Sequence, residues 1–189
     1  MDFHGELEAV GILVLEEGGI LDRLIPAFLT GQAPSCPTEE RWTEADIDVR
    51  DMPALQAAND TWYRMSVRSG LFSEIDRRFL LAHAVGDDGP SKWLQVQLLD
   101  QWDVMGEGTA GPLGSASFRP EFRMLSLDGS VLLCGTTGED AVSIFVVKEP
   151  DRSRTFTRFA EWVITTDVPH PEDVVAVRRW LTTHGRHDV

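Results

Sequence analysis

Lysine and cysteine are scarce in this sequence, which has two of each among its 189 residues. Because Lys92 and Lys148 are the only lysines, arginine supplies nearly all of the positive charge, and no basic stripe of the kind that contacts nucleic-acid phosphates is present. Cys36 and Cys134 are far apart in the chain, and neither belongs to a CxxC pair. We therefore expect no nucleic-acid partner and two free thiols, with Cys134 an inert residue of an apolar strand.

Long apolar runs are also missing. Residues 10–15 form the longest apolar run near the N-terminus, and its six residues are far fewer than the ~20 that a membrane-spanning helix needs. Asp2, Glu6 and Glu8 stand where a signal peptide would carry positive charge. The sequence thus predicts a cytoplasmic protein with no membrane partner.

The motifs that mark common catalytic and cofactor sites are absent as well. No G-x-S-x-G segment supplies a nucleophilic serine, and the glycine-rich residues 106–114 lack the following amphipathic helix that would hold a phosphate. His184, His187 and Asp188 have a spacing that can chelate a metal, but they lie at the C-terminal end, where chains usually fray. We therefore expect no cofactor and no metal, and the sequence favours a role other than catalysis.

The length and composition are those of one globular domain. A hydrophobic content of 42% and a mean hydropathy of -0.15 are ordinary for a folded protein. The 189 residues suffice for one buried core and are few for two independent domains. We predict a single α+β domain over residues 1–185, with residues 186–189 as a frayed tail.

The first thirty residues show mostly helical spacing of apolar side chains. Residues 2–30 fit a helix that is interrupted by two adjacent glycines, Gly18 and Gly19, although residues 10–15 fit a strand as well. The prolines and small polar residues of 30–37 predict a loop.

Residues 45–85 are predicted to contain one strand followed by two helices. Alternation in residues 45–49 predicts a short strand at the edge of a sheet, with Asp46 and Asp48 facing water. Helices are then predicted over residues 53–66 and 73–85, and Ser73 has the residue type expected of an N-cap.

Strand-like patterns dominate residues 93–148, where apolar runs alternate with turns. Asp128–Gly129 separates two apolar runs and predicts a hairpin with a two-residue type I′ turn. Residues 141–147 are almost continuously apolar, which indicates a central strand buried on both faces. Helical spacing returns over residues 155–165 and 171–184. The predicted fold is α+β: an antiparallel sheet of about four to five strands, with helices from both the N-terminal and the C-terminal parts packed on one face.

The acidic residues are distributed unevenly along the chain. Of the formal net charge of -14, residues 1–60 contribute -10 and the rest of the chain contributes -4. Residues 1–60 contain thirteen Asp and Glu but only three basic residues, Arg23, Arg41 and Arg50. Carboxylates that serve solubility alone should be spread over the whole surface. A concentrated acidic surface attracts basic proteins and repels anionic membranes and nucleic acids.

An aromatic side chain lies in the middle of the densest acidic stretch. Trp42 has few apolar neighbours in the sequence, and an aromatic anchor ringed by charge is typical of a protein-binding hot spot. Packing of Trp42 over the edge of the core is an equally good interpretation. The candidate partner-binding residues are Glu39, Glu40, Trp42, Glu44, Asp46 and Asp48.

These features favour an acidic cytoplasmic module that binds a basic protein, as immunity proteins and antitoxins do when they neutralise basic toxins. One alternative is an enzyme or small-molecule-binding protein that uses a concave face of the sheet, with acid–base groups at its rim. Another is a subunit of a larger assembly. The rim candidates of the first alternative are His83, Asp100, Asp103 and Glu107.

Overall fold

The computed structural model of the protein describes residues 3–17, 23–48, 52–84, 89–105, 113–116, 119–138, 141–166 and 169–184. The α-helices in these ranges are α1 (Phe3–Ala9), α2 (Met52–Ser69), α3 (Arg154–Val163) and α4 (Pro171–His184). The first four strands are β1 (Ile12–Glu17), β2 (Arg41–Asp48), β3 (Arg78–Ala84) and β4 (Ser91–Leu98). The other strands are β5 (Gly114–Ala116), β6 (Arg119–Pro120), β7 (Phe122–Leu125), β8 (Val131–Thr137) and β9 (Ala141–Lys148). Short 3-10 helices cover Ala27–Ser35 and Pro150–Arg152.

Seven of the described strands form one antiparallel sheet in the order β1-β4-β3-β7-β8-β9-β2. The predicted α+β class is therefore confirmed, but the sheet is wider than the four to five strands expected. Strands β7, β8 and β9 follow one another in the chain and are neighbours in the sheet, and the two outer strands, β1 and β2, come from the N-terminal part of the chain.

Helices cover both faces of the sheet, so the prediction that they pack on one face is wrong. The N-terminal helices lie on one face, where Leu7 of α1 and Trp62 of α2 are fully buried. The C-terminal helices lie on the other, where Phe156 of α3 and Trp180 of α4 are buried. Both faces are covered because the central strands are apolar on both sides, and each apolar face needs a layer to exclude water.

The local structure departs from prediction at one predicted helix, and it decides a segment for which the sequence fitted both helix and strand. Residues 73–85 contain a turn followed by strand β3, and Ser73 accepts a hydrogen bond from the backbone N–H of Asp76 (2.9 Å) inside that turn. Residues 10–15, open between helix and strand, contribute most of β1. In β3, three consecutive apolar residues are buried, which hides the period-2 alternation of a strand.

Other predictions were closer to the observed elements. Most of residues 30–37, predicted as a loop, lies instead in the 3-10 helix Ala27–Ser35. The helices predicted over 53–66, 155–165 and 171–184 are confirmed as α2, α3 and α4. Residues 186–189 lie outside the described part of the chain.

The β7–β8 hairpin is confirmed, but its turn differs from the predicted type I′. Only Gly129 has a positive φ (78°) in this turn, and a bond from the Ser126 N–H to the Val131 carbonyl oxygen (2.9 Å) closes a longer loop. The Asp128 carboxylate accepts from the Ser126 hydroxyl (2.6 Å) and the Ser130 N–H (3.0 Å), and these bonds lower the pKa of Asp128 below its ordinary value. The turn is thus built by side-chain hydrogen bonds as well as by glycine.

Replacing Gly129 with alanine should lower the free energy of unfolding by about 1–2 kcal/mol. A Cβ atom at this positive φ would lie 2.6 Å from Cδ2 of Leu24, a side chain that can move aside at modest cost. Gly138→Ala is the matched control, because a Cβ there would only meet the Ala141 carbonyl oxygen at 3.6 Å. Equal urea midpoints for the two variants would contradict the prediction.

Candidate interaction surface

The acidic stretch found in the sequence lies on an outer strand of the sheet. Strand β2 pairs with β9 alone among the described strands. Its register pairs Ala45 and Ile47 with core residues of β9, whereas Asp46 and Asp48 pair with the half-buried Ser143 and Ala141. The predicted edge strand is confirmed, but the side chains of Glu44, Asp46 and Asp48 lie outside the described part of the structure. We call residues 39–48 the acidic segment.

Trp42 is half-buried at the start of the acidic segment. Its backbone pairs with Val146, and its ring packs against the core on the α1–α2 face of the sheet. The Arg68 guanidinium of α2 lies 4.8 Å from the centre of the Trp42 ring. Such a cation–π contact stabilises a surface ring by about 0.5–1 kcal/mol. Trp42 therefore takes part in packing, whatever further role it has.

Glu39 and Glu40 are adjacent but have different environments. Glu39 is exposed, whereas the Glu40 carboxylate accepts a hydrogen bond from the Ser153 hydroxyl (2.5 Å), at the N-cap of α3. Sγ of Cys36 lies 3.8 Å from the same hydroxyl oxygen. Glu40 thus joins the acidic segment to α3. The sequence could not reveal this contact, because the two residues are 113 positions apart.

Arg41 is held against the protein within the acidic segment. One Nη atom donates to the Pro34 carbonyl oxygen (3.0 Å), and the guanidinium lies 5.4 Å from the centre of the Phe145 ring. The flat guanidinium combines hydrogen bonding at its edge with stacking on its face, which suits this position.

No protein-family model matches the sequence, and no curated protein and no solved structure is significantly similar to this chain. Within the described ranges, no helix is both long and apolar enough to cross a membrane. In the same ranges, no three His, Cys, Asp or Glu side chains are grouped as metal ligands would be.

Both cysteines are free, buried thiols, as predicted. Burial raises the pKa of the Cys134 thiol to about 12. Burial also raises the pKa of Cys36, and the nearby Glu40 carboxylate raises it further. Each thiol is therefore protonated at neutral pH, the unreactive form in nucleophilic chemistry.

The described rim candidates of the enzyme alternative lie on strand β3 and on the loop after β4. His83 lies on strand β3 and stacks on Phe3, with ring centres 3.8 Å apart. Asp100 forms an ion pair with Arg77, and Asp103 accepts a hydrogen bond from Asn59 (2.7 Å). Glu107 lies outside the described residues. Helices pack on both faces of the part of the sheet that the structure describes.

Proposed function

We propose that the protein is an interaction module that docks a basic partner protein on its acidic segment. The observation that carries the proposal is the coincidence of two features: the densest run of carboxylates in the chain is also an outer strand of the sheet. An outer strand has backbone N–H and C=O groups available along one side, which can pair with a strand of another protein.

Charge makes such docking selective. Carboxylates along the strand attract a basic partner over the Debye length and increase the association rate, while they disfavour pairing with a second copy of this acidic chain. Charged outer strands also protect monomeric proteins from aggregation. That purely protective role is the alternative that an experiment has to separate from docking.

The finer proposal is that the partner is a basic toxin-like protein and that this chain neutralises it in the cytoplasm. Fast capture by charge and slow release through a buried anchor are the physical requirements of an immunity protein or antitoxin. The acidic segment is the candidate for the first requirement, and the partly exposed Trp42 is the candidate for the second.

Charge reversal tests the proposal without disturbing the known packing contacts. The test variant changes Glu39, Glu44 and Asp46 to Lys, which moves the formal net charge from -14 to -8, since each change adds two charges. Glu40 and Trp42 are left unchanged because each contacts another element. The matched control changes the exposed residues Glu74, Glu121 and Glu161 to Lys and reaches the same net charge.

We expect the parent and the control variant to capture the same basic protein from the cytoplasm of the source cell, and the test variant to lose it. With that partner purified, the association rate of the test variant should fall at least about tenfold at low salt. The difference should nearly vanish in 1 M salt, where the Debye length is ~3 Å. Equal capture by all three proteins, or capture by none, would contradict the proposal.

A further inference from the structure

A groove lies between helix α2 and the loop at residues 99–105. It has a volume of about 410 Å³, within the range of small-molecule sites. The residues that line it are Ala57, Asp60, Thr61, Tyr63, Arg64 and Trp102.

One wall of the groove is a rigid aromatic surface. The rings of Tyr63 and Trp102 are stacked, with centres 5.5 Å apart and planes at 16°. The fully buried Trp62 meets Trp102 edge-on at 5.2 Å. Because Tyr63 and Trp102 are each only half-buried, part of this surface is available to a planar ligand.

The loop that carries Trp102 is fixed to the core. Oδ1 of the buried Asn59 accepts hydrogen bonds from the backbone N–H groups of Val104 (3.1 Å) and Met105 (2.9 Å). The backbone of Gly11 approaches so closely that a Cβ atom there would lie 2.5 Å from Cα of Trp102. The aromatic wall is therefore preorganised, which reduces the entropy that a ligand loses on binding.

Two groups of opposite charge line the groove one helical turn apart. Nε of Arg64 donates a hydrogen bond to the Asp60 carbonyl oxygen (3.3 Å), and one Nη donates to the Thr61 hydroxyl (3.2 Å). The guanidinium has three further N–H donors. The Asp60 carboxylate has no hydrogen-bond partner among the residues that the structure describes. The groove thus offers donors and an acceptor side by side, next to an aromatic surface.

We propose that this groove binds the guanine base of an uncharged nucleoside. A guanine edge carries N–H donors beside a carbonyl acceptor, so the Asp60 carboxylate accepts from the former while Arg64 donates to the latter. The flat base stacks on the part of the Trp102 ring that Tyr63 leaves uncovered. A phosphate group would weaken binding, because the protein carries a formal net charge of -14.

Calorimetric titration with guanosine tests this site, which is independent of the acidic segment. We expect guanosine to bind, Asp60→Asn and Arg64→Met each to weaken it at least about tenfold, and Trp102→Leu to weaken it at least about fivefold. Guanosine monophosphate should bind more weakly than guanosine at low salt. The matched controls are Glu74→Gln, Arg158→Met and Trp162→Leu, which make the corresponding changes at an exposed acidic, basic and tryptophan residue outside the groove lining.

Asp60 and Arg64 are exposed, so both variants should fold like the parent, as circular dichroism and urea unfolding can verify. The absence of guanosine binding would overturn the proposal. So would binding that Asp60→Asn and Arg64→Met leave unchanged. Tighter binding of guanosine monophosphate would overturn the assignment to an uncharged ligand.

Discussion

Replacing Gly11 with alanine is expected to lower the free energy of unfolding by at least about 3 kcal/mol, since overpacking and backbone strain add together. A Cβ atom at position 11 would lie 2.1 Å from the Gln101 carbonyl oxygen and 2.5 Å from Cα of Trp102. Both are backbone atoms, which cannot rotate away as the end of a side chain can. Gly11 also has a φ of 83°, which side chains disfavour.

Two other glycines separate these causes. Gly70 has a φ of 90° but open space around the missing side chain, so Gly70→Ala should cost only about 1 kcal/mol of backbone strain. Gly5 lies inside α1 with nothing within 4 Å, so Gly5→Ala should raise the free energy of unfolding by about 0.5–1 kcal/mol. Urea unfolding of the three variants measures the differences. A loss for Gly11→Ala no larger than that for Gly70→Ala would show that the close approach is not rigid.

Replacing Asn59 with alanine should lower the free energy of unfolding by about 3–5 kcal/mol, because buried donors that lose their acceptor pay a desolvation cost. The Asn59 amide accepts from the N–H groups of Val104 and Met105 and donates to Asp103 (2.7 Å). The side chain is 4% exposed, and both Val104 and Met105 are fully buried, so water cannot easily take its place.

Gln56→Ala is the control for Asn59→Ala. Both residues carry an amide on α2, but Gln56 is exposed, and its replacement should change the free energy of unfolding by less than about 0.5 kcal/mol. Thermal and urea unfolding of the two variants give the comparison. Similar stabilities would mean that the loop at residues 99–105 is held by other contacts.

Helices with one buried side could be predicted from the sequence. In α3, Phe156, Ala160 and Val163 are buried while Arg158 and Glu161 are exposed, and this alternation is visible as helical spacing. Strand β3 failed the same test, because Phe79, Leu80 and Leu81 are consecutive and all buried. An apolar run of that kind has no period, so its neighbours in the sheet decide that it is a strand.

The acidic segment could be found from composition, since charge does not depend on folding. The contacts within and around it could not. Arg68 over Trp42 and Ser153 against Glu40 join residues that are distant in the chain. The same holds for the groove, whose aromatic wall pairs Tyr63 of α2 with Trp102 of a loop.

The sequence by itself determined the α+β class, the β7–β8 hairpin, three of the helices and the concentration of negative charge at the N-terminal end. These properties follow from local periodicity, turn chemistry and composition. Only the tertiary structure decided that β1 and β2 are the two outer strands of the sheet and that helices cover both faces. It also decided that one groove is lined by Asp60, Arg64, Tyr63 and Trp102. Such arrangements depend on strand pairing and packing between residues that are distant in the chain, and these contacts produce no periodic pattern in the sequence.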